Sequence, residues 1–494
     1  MRAPGALLGV ALSLLSVSCG LAAPRIVDDP PGGSALRLVE EKNPIQMEFS
    51  RSGDLLLIFS SASGHDDGYA VRVFDLPSMR LLWSAPGTHP SFDPDGRRVV
   101  LRLDGRFELR EARSGRVLRR LERAEGQTVA FVGSRLLGVG GEGGLVLRDA
   151  ESDRTVDRFS HRGSLVAGRG AADGKRLVVG LEAGGVTPLS QVLDYPGFVP
   201  RCAAPTGELA PDGSTLVITT SSYDAVLVDA STCAPLVRTC PLEGGPSVDG
   251  KVWFWDQWFG PRMRVVAFHL PSLSWQVGPE LSPPPTRLAA GPSSLVLHRS
   301  SVKEDDYAHY FYLRPLSSWL SRPVAAAPER PRPYHWLVCP GWTNQRGDEP
   351  PGPISGVVVE DRRVALRLLP GRAEDLVLQL TNRDTKPLRI DWERSSLSVA
   401  AGSPPTARRL WLGHLGCPRY DARLGETPCL PTEVLPGSGY VDVLHARARP
   451  DDPQRAELVA RCGDRFALEL VVSSPGEPAR TLRPELRYCP DQVR

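Results

Sequence analysis

Short apolar runs alternate with polar turns along the first two thirds of the chain. The runs LLLIF (55–59), VVLRL (99–103), LLGVG (136–140), LVVGL (177–181), TLVIT (215–219) and WFW (253–255) each follow a turn-like stretch. Those stretches are FSRSGD (49–54), FDPDGR (92–97), FVGSRL (131–136), AADGKR (171–176), LAPDGS (209–214) and SVDGKV (247–252). A degenerate seventh copy is AAGPSSLVLH (289–298). The glycines Gly53, Gly96, Gly174, Gly213 and Gly250 are spaced 43, 78, 39 and 37 residues apart, the 78 spanning a copy whose turn differs. Each copy also ends alike, in strand, tight turn and strand: VFDLPSMRLLW (73–83), LREARSGRVLRRL (109–121), LRDAESDRTVDRF (147–159), LVDASTCAPLV (227–237) and AFHLPSLSWQV (267–277).

The physics behind this period is direct. Asp-Gly permits the positive φ of a tight turn. Four strands fit in about 40 residues, the length of one blade. One such module cannot bury both its faces alone, so modules stack on one another. Ala35–Glu41 (ALRLVEE) is strand-like and is placed to supply the outer strand of the last module.

With these turns and hairpins in order, residues 36–322 resemble the WD40-like and quinoprotein-like bacterial β-propellers. The Trp-Asp ending is absent, with Phe74-Asp75 its nearest match, and Gly64-His65 occurs once, in a loop. The resemblance implies a seven-bladed β-propeller and no particular activity, because propellers host many.

Residues 323–353 change character to a Pro-rich linker. Beyond it, EDLVLQLTNRDTKPLRIDWERSSLSV (374–399) reads as an antiparallel hairpin, with Leu376, Leu378 and Leu380 on one strand face and Ile390 and Trp392 on the other strand. Further strands are expected at 356–369, 408–413, 439–447, 456–472 and 480–488. This pattern over 354–494 predicts an Ig-like β-sandwich. The fold class expected is therefore all-β, a seven-bladed propeller followed by a sandwich.

Gly (48) and Pro (47) are abundant, in keeping with many turns and few helices. Net charge is +2, which offers no electrostatic case for nucleic acid. The N-terminus follows secretory grammar: Arg2, an apolar stretch from Ala6 to Val17, then small residues. Ser16-Val17-Ser18-Cys19 resembles a lipoprotein lipobox, which implies a signal peptide over 1–18 and a lipid anchor on Cys19. Gly20 after that cysteine implies the outer membrane; a secreted or periplasmic protein is the alternative, since cleavage after Ala22 also fits. Residues 19–35 read as a tether.

Removing Cys19 leaves eight cysteines, an even number suited to an oxidising compartment. Cys417 with Cys429, Cys462 with Cys489, Cys202 with Cys240, and Cys233 with Cys339 form one possible set, among connectivities the sequence leaves open. No Cys-x-x-Cys or clustered His spacing points to zinc, and no metal or cofactor is expected.

Catalytic motifs are also missing. GVGGEG (138–143) matches the dinucleotide fingerprint, but a strand pattern follows it where a helix is required. GHDDGY (64–69) and KEDDYAHY (303–310) gather carboxylates and histidines that read as acidic surface loops. The most unusual cluster is KVWFWDQWFGPR (251–262). Within it, Trp255, Asp256, Gln257, Trp258 and Phe259 are the candidate binding surface, while other rings fill space between blades. The leading expectation is a non-catalytic, lipid-tethered binding or scaffold protein whose partners are envelope proteins or glycans. Two rivals stand beside it: a propeller enzyme acting on glycans or with a quinone in the axial funnel, and a purely structural envelope component.

Overall fold

The computed structural model describes residues 25–29, 33–39, 43–61, 69–76, 78–121, 128–182, 186, 188–219, 225–239, 247, 250–259, 262–269, 274–281, 287–303, 306–316, 335–336, 357–370, 375–401, 406–415, 417, 420–421, 425–426, 429–447 and 465–487. Every named element among them is a β-strand.

After β1 (Arg25–Asp29) and β2 (Gly33–Val39), antiparallel meanders follow one another. Unit 1 is β3 (Asn43–Phe49), β4 (Leu55–Ser61), β5 (Ala70–Asp75) and β6 (Arg80–Pro86). Unit 2 is β7 (Thr88–Phe92), β8 (Arg98–Leu103), β9 (Arg106–Glu111) and β10 (Val117–Leu121). Units 3 and 4 share long strands: β11 (Thr128–Val132), β12 (Leu136–Asp149), β13 (Thr155–Gly170), β14 (Arg176–Glu182), β15 (Leu189–Asp194) and β16 (Val199–Ala204). The first half of β12 pairs with β11 and the second with β13, whose own second half pairs with β14. Unit 5 is β17 (Glu208–Leu209), β18 (Thr215–Thr219), β19 (Ala225–Asp229) and β20 (Pro235–Thr239). Unit 6 contains β21 (Val252–Phe259), β22 (Arg262–His269) and β23 (Ser274–Leu281). Unit 7 is β24 (Arg287–Ala290), β25 (Ser294–Lys303) and β26 (Asp306–Pro315).

The outer strand of unit 7 comes from the other end of the chain: β2 lies antiparallel to β26, from Ala35↔Tyr312 to Val39↔Ala308. Of the residues read from sequence as tether, Arg25–Asp29 and 33–35 are strand, and 19–24 and 30–32 lie outside the described residues. β1 pairs with β2, and the strand placed at Ala35–Glu41 begins at Gly33. The GVGGEG stretch lies inside β12, with no helix after it.

Two kinds of turn repeat. In the first, between the first and second strands, Gly53 has φ 74° and donates its amide to the Ser50 carbonyl. A Cβ there would lie 2.9 Å from Pro292 of unit 7, so glycine serves both the turn and the contact between units. In the second, between the third and fourth strands, a carboxylate accepts from a hydroxyl three residues on. Asp75 takes Ser78 Oγ at 2.6 Å, Asp149 takes Ser152 Oγ at 2.9 Å and Asp229 takes Thr232 Oγ1 at 3.0 Å; Glu111 takes Ser114 likewise. These are side-chain-stapled turns of the Asx type. The Ser78 hydroxyl holds the Asp75 carboxyl below its ordinary range, and the Ser152 backbone N–H does so for Asp149.

A folded-state pKa below the unfolded one gives stability that is present above the unfolded value and lost as pH falls through the folded one. Acid titration followed by circular dichroism should therefore show stability falling only below about pH 4. Full stability at pH 2 would remove the turn carboxylates from the account.

The units share their cores pairwise, which explains why the runs are apolar without alternation. In β4, Leu55, Leu57 and Phe59 pack with Phe92, Val99 and Leu101 of unit 2. Leu56 and Ile58 face the other way, onto Val296 and Phe311 of unit 7. Equivalent clusters join unit 2 to 3, 3 to 4, 4 to 5 and 6 to 7. The first two thirds of the chain is all-β and propeller-like on these grounds.

The C-terminal strands are β27 (His335–Trp336), β28 (Val357–Glu360), β29 (Val364–Pro370), β30 (Asp375–Asn382), β31 (Leu388–Ala401), β32 (Thr406–His414), β33 (Tyr420–Asp421), β34 (Gly425–Glu426), β35 (Thr432–Val434), β36 (Gly439–Arg447), β37 (Arg465–Ser473), β38 (Arg480–Leu482) and β39 (Glu485–Arg487). The linker is not wholly free of pairing, since β27 runs parallel to β20 at the edge of unit 5. Of the expected strand 456–472, residues 465–472 lie in β37 and 456–464 lie outside the described residues; the described part of 480–488 divides into β38 and β39.

Leu366, Leu368, Leu376, Leu378 and Leu380 from β29 and β30 meet Ile390, Trp392, Leu397, Leu468, Leu470 and Val472 from β31 and β37 in one core. The intervening residues Leu369, Val377, Val441 and Val443 face the opposite way. They pack on Val192, Cys202, Val226 and Val228 of units 4 and 5. The central sheet of this region is therefore buried on both faces, which is why β30 and β36 carry apolar residues at successive positions. Each fully buried aliphatic side chain contributes about 1.5–3 kcal/mol.

Candidate functional site

The two edges of the meanders differ. In a meander, the first-to-second and third-to-fourth turns lie at one edge, and this edge carries the uniform glycine and carboxylate turns. The second-to-third connections lie at the other edge, where the hairpins are uneven. Among the described residues, β4 with β5 and β8 with β9 each pair over 6 positions, and β18 with β19 over 5. β21 and β22 pair over 8, from Val252↔His269 to Phe259↔Arg262. β25 and β26 pair over 10, from Ser294↔Pro315 to Lys303↔Asp306. At a rise of about 3.3 Å per residue, two to four extra positions carry these hairpins roughly 7–13 Å further.

Trp255, Asp256, Gln257, Trp258 and Phe259 are the last five residues of β21, the final two in the added length of its hairpin. Their side chains lie outside the described residues. The neighbouring Trp253 and Phe254 are buried at 1% and 0% exposure, and Phe254 fills the space between units 6 and 7. The paired ends of β25–β26 at Lys303↔Asp306 and of β4–β5 at Ser60↔Ala70 fall at the same edge. His65, Asp66, Asp67 and Asp305 lie outside the described residues, as do Cys19, Cys240, Cys339, Cys462 and Cys489.

The bridges correct two pairings, Cys202 with Cys240 and Cys233 with Cys339. Cys202 is joined to Cys233, with Cα atoms 4.9 Å apart, and not to Cys240. Cys233 occupies the positive-φ corner of the β19–β20 turn (57°), which brings it against β16 of the preceding unit. It is therefore unavailable to Cys339. Chain order alone hides this, because the contact is between units and not along a strand. Gly439 of β36 pairs with Cys202, and a Cβ on it would lie 2.3 Å from the Cys233 Cβ. The C-terminal sheet thus seats directly over this bridge. Closing a loop of 31 residues, it should contribute about 3–4 kcal/mol. The Cys202→Ser/Cys233→Ser protein is expected to unfold at correspondingly lower urea; an unchanged midpoint would deny the bridge that role.

Cys417 and Cys429 are bridged as well, with Cα atoms 5.5 Å apart. Beside them lies a buried polar cluster that inspection of the sequence passed over. Asp442 of β36 is 0% exposed and points into the apolar core. Its carboxylate accepts from His414 Nδ1 at 2.9 Å, the Leu415 amide at 3.0 Å, the Val443 amide at 2.7 Å and the Tyr440 hydroxyl. Burial, first, and the adjacent Asp442 charge raise the Tyr440 pKa well above its ordinary value, so the phenol stays a donor. The His414 ring stacks on Trp392 at 4.2 Å, and Trp392 Nε1 donates to Thr432 Oγ1 at 2.8 Å. His414 Nε2 is buried and has no hydrogen-bond partner among the described residues. An unmatched buried polar atom costs about 1–3 kcal/mol. The available signal was the acidic Asp442 within the apolar run YVDVL (440–444), together with His414-x-x-Cys417.

Buried carboxylates in unit 2 are matched by arginines. Asp93 binds Arg98 at 2.9 Å, and Glu108 binds Arg110 at 2.5 Å and Arg120 at 3.0 Å. No helix among the described residues is long and apolar enough to cross a membrane.

No family model matches the chain, and no curated protein matches it. Among solved structures, it is similar to the crystal structure of the Myceliophteria thermophila Cps50 (Swd1) beta-propeller domain, at 12% identity and a TM-score of 0.39, over 58% of this chain and 99% of that one.

Proposed function

We propose that this protein is a non-catalytic recognition module of the cell envelope, which takes a protein partner on the edge carrying the extended hairpins. In this reading the meanders form a seven-bladed ring closed by β2, with an Ig-like sandwich seated on units 4 and 5 and a lipid on Cys19 holding the assembly at the outer membrane. The length of the β21–β22 and β25–β26 pairings, 8 and 10 positions against 6 for the β8–β9 hairpin, is the observation that carries it. Projecting irregular edges on a rigid scaffold are where binding residues concentrate. The sequences of these two hairpins, WDQWF and KEDD, combine aromatic rings with carboxylates, a composition suited to a partner surface with apolar and basic side chains.

The test is a photo-crosslinking amino acid placed at Trp258 or Asp305, and for comparison at Asp173 or Ser231 on the turn edge. Irradiation in cells should give discrete protein adducts from the first pair and none from the second. Adducts only from the turn edge, or from neither, contradict the assignment. For the anchor, a palmitate analogue should label the protein and fail to label Cys19→Ala; equal labelling of both refutes acylation there.

A further inference from the structure

The buried cluster of the C-terminal region has the makings of a site independent of the recognition edge. A ring nitrogen of His414 and the sulfurs of Cys417 and Cys429 all lie within 4.8 Å of one another. His414 is 0% exposed, and Nδ1 is committed to Asp442 at 2.9 Å. With that N–H given to the carboxylate, Nε2 carries the free lone pair, and it is the nitrogen that has no partner among the described residues. Asp442 is itself fixed by two backbone amides and the Tyr440 hydroxyl. A carboxylate behind an imidazole is the arrangement that sets the tautomer and orientation of a metal-bound histidine. Trp392, stacked on the ring, removes its remaining rotational freedom.

Two thiolates and an imidazole form a soft donor set, suited to Zn2+ or Cu+ and poorly suited to Mg2+ or Ca2+. In the bridged state the sulfurs offer no thiolate, and Nε2 is left unsatisfied. We infer that reduction of the Cys417–Cys429 bridge converts this cluster into a binding site for one thiophilic closed-shell ion, Zn2+ or Cu+, held by His414, Cys417 and Cys429.

The chemistry balances with a dithiol as reductant. The dithiol delivers two electrons and two protons to the S–S bond, which breaks to give two thiols, and the dithiol becomes a disulfide. Ion binding then releases the two thiol protons to solvent and gives Nε2 its missing partner. Asp442 acts as a positioning residue through His414.

The full chain, reduced without oxygen, is incubated with Zn2+ or Cu+ and desalted, and bound metal is counted by mass spectrometry. Alkylation of each cysteine is mapped in parallel. One bound ion should protect both Cys417 and Cys429 from alkylation, and the oxidised protein should lack that ion. Cys417→Ser/Cys429→Ser should bind one ion fewer than the reduced parent, while Cys202→Ser/Cys233→Ser keeps it. Asp442→Asn should weaken binding about 10–100-fold with both thiols still present. The ion retained at the lower free concentration identifies the preferred metal. Absence of protection at Cys417 and Cys429 in the reduced parent overturns the inference without reliance on any variant. Protection that persists in His414→Gln at unchanged affinity overturns the role of the imidazole.

Discussion

Replacing Trp392 by alanine should lower stability by about 3–5 kcal/mol, the range for a fully buried tryptophan. Trp392 is 0% exposed and lies in the core between β29–β30 and β31–β37. Truncation opens a cavity, and it also removes the donor to Thr432 Oγ1 and the face on which His414 stacks. Thr432 and His414 are themselves buried, so each is left with less than it had. Because the same sheet packs on units 4 and 5, the damage should spread: urea unfolding should move as a whole, read both by near-UV circular dichroism and by far-UV signal. Trp392→Phe keeps most of the ring and should lose less. A loss under about 1 kcal/mol for the alanine protein would mean that this core closes without its largest side chain.

The second large effect concerns the ends of the chain. A protein started at Glu40 lacks β1 and β2, and β26 then loses the partner it has from Ala308 to Tyr312. Phe311 sits in the core shared by units 7 and 1, so the loss acts on the contact between the last unit and the first. The expected cost exceeds the roughly 4–5 kcal/mol that bounds most single substitutions. The bare edge of β26 should also template association between copies. Light scattering and thermal unfolding, against a protein started at Gly20, should show a lower midpoint and concentration-dependent oligomers. Equal midpoints and a monomer at all concentrations would show that β2 is dispensable.

Much of this architecture is visible in the letters of the chain, and the reasons are local. Gly53, Gly96, Gly174, Gly213 and Gly250 all take positive φ, a backbone demand that restricts the residue directly. The Asp-x-x-Ser/Thr turns are equally readable, since the staple closes within four residues. Leu376, Leu378 and Leu380 declared a strand face that does line a core. What stayed hidden depends on contacts far apart in sequence. β4 is buried on both faces by different units, so its apolar run says nothing about direction. Cys202 meets Cys233 across a unit boundary. Val377, Val441 and Val443 belong to the seat on units 4 and 5, which no local pattern distinguishes from an ordinary core face. His414 and Asp442 are 28 residues apart and join only when β32 lies beside β36.

Closure of the array by the N-terminal strand is the claim on which the recognition edge depends, because only a closed ring holds units 6, 7 and 1 in one fixed order. Arg37 and Tyr310 are register partners across β2 and β26. Directly opposed residues in an antiparallel pair have Cα atoms about 4.5–5.5 Å apart, within reach of a disulfide. Arg37→Cys/Tyr310→Cys protein, oxidised mildly and digested, should yield the 37–310 linked peptide from the monomer fraction. Recovery of position 37 unlinked, or linked only between two copies of the chain, would contradict the closed arrangement.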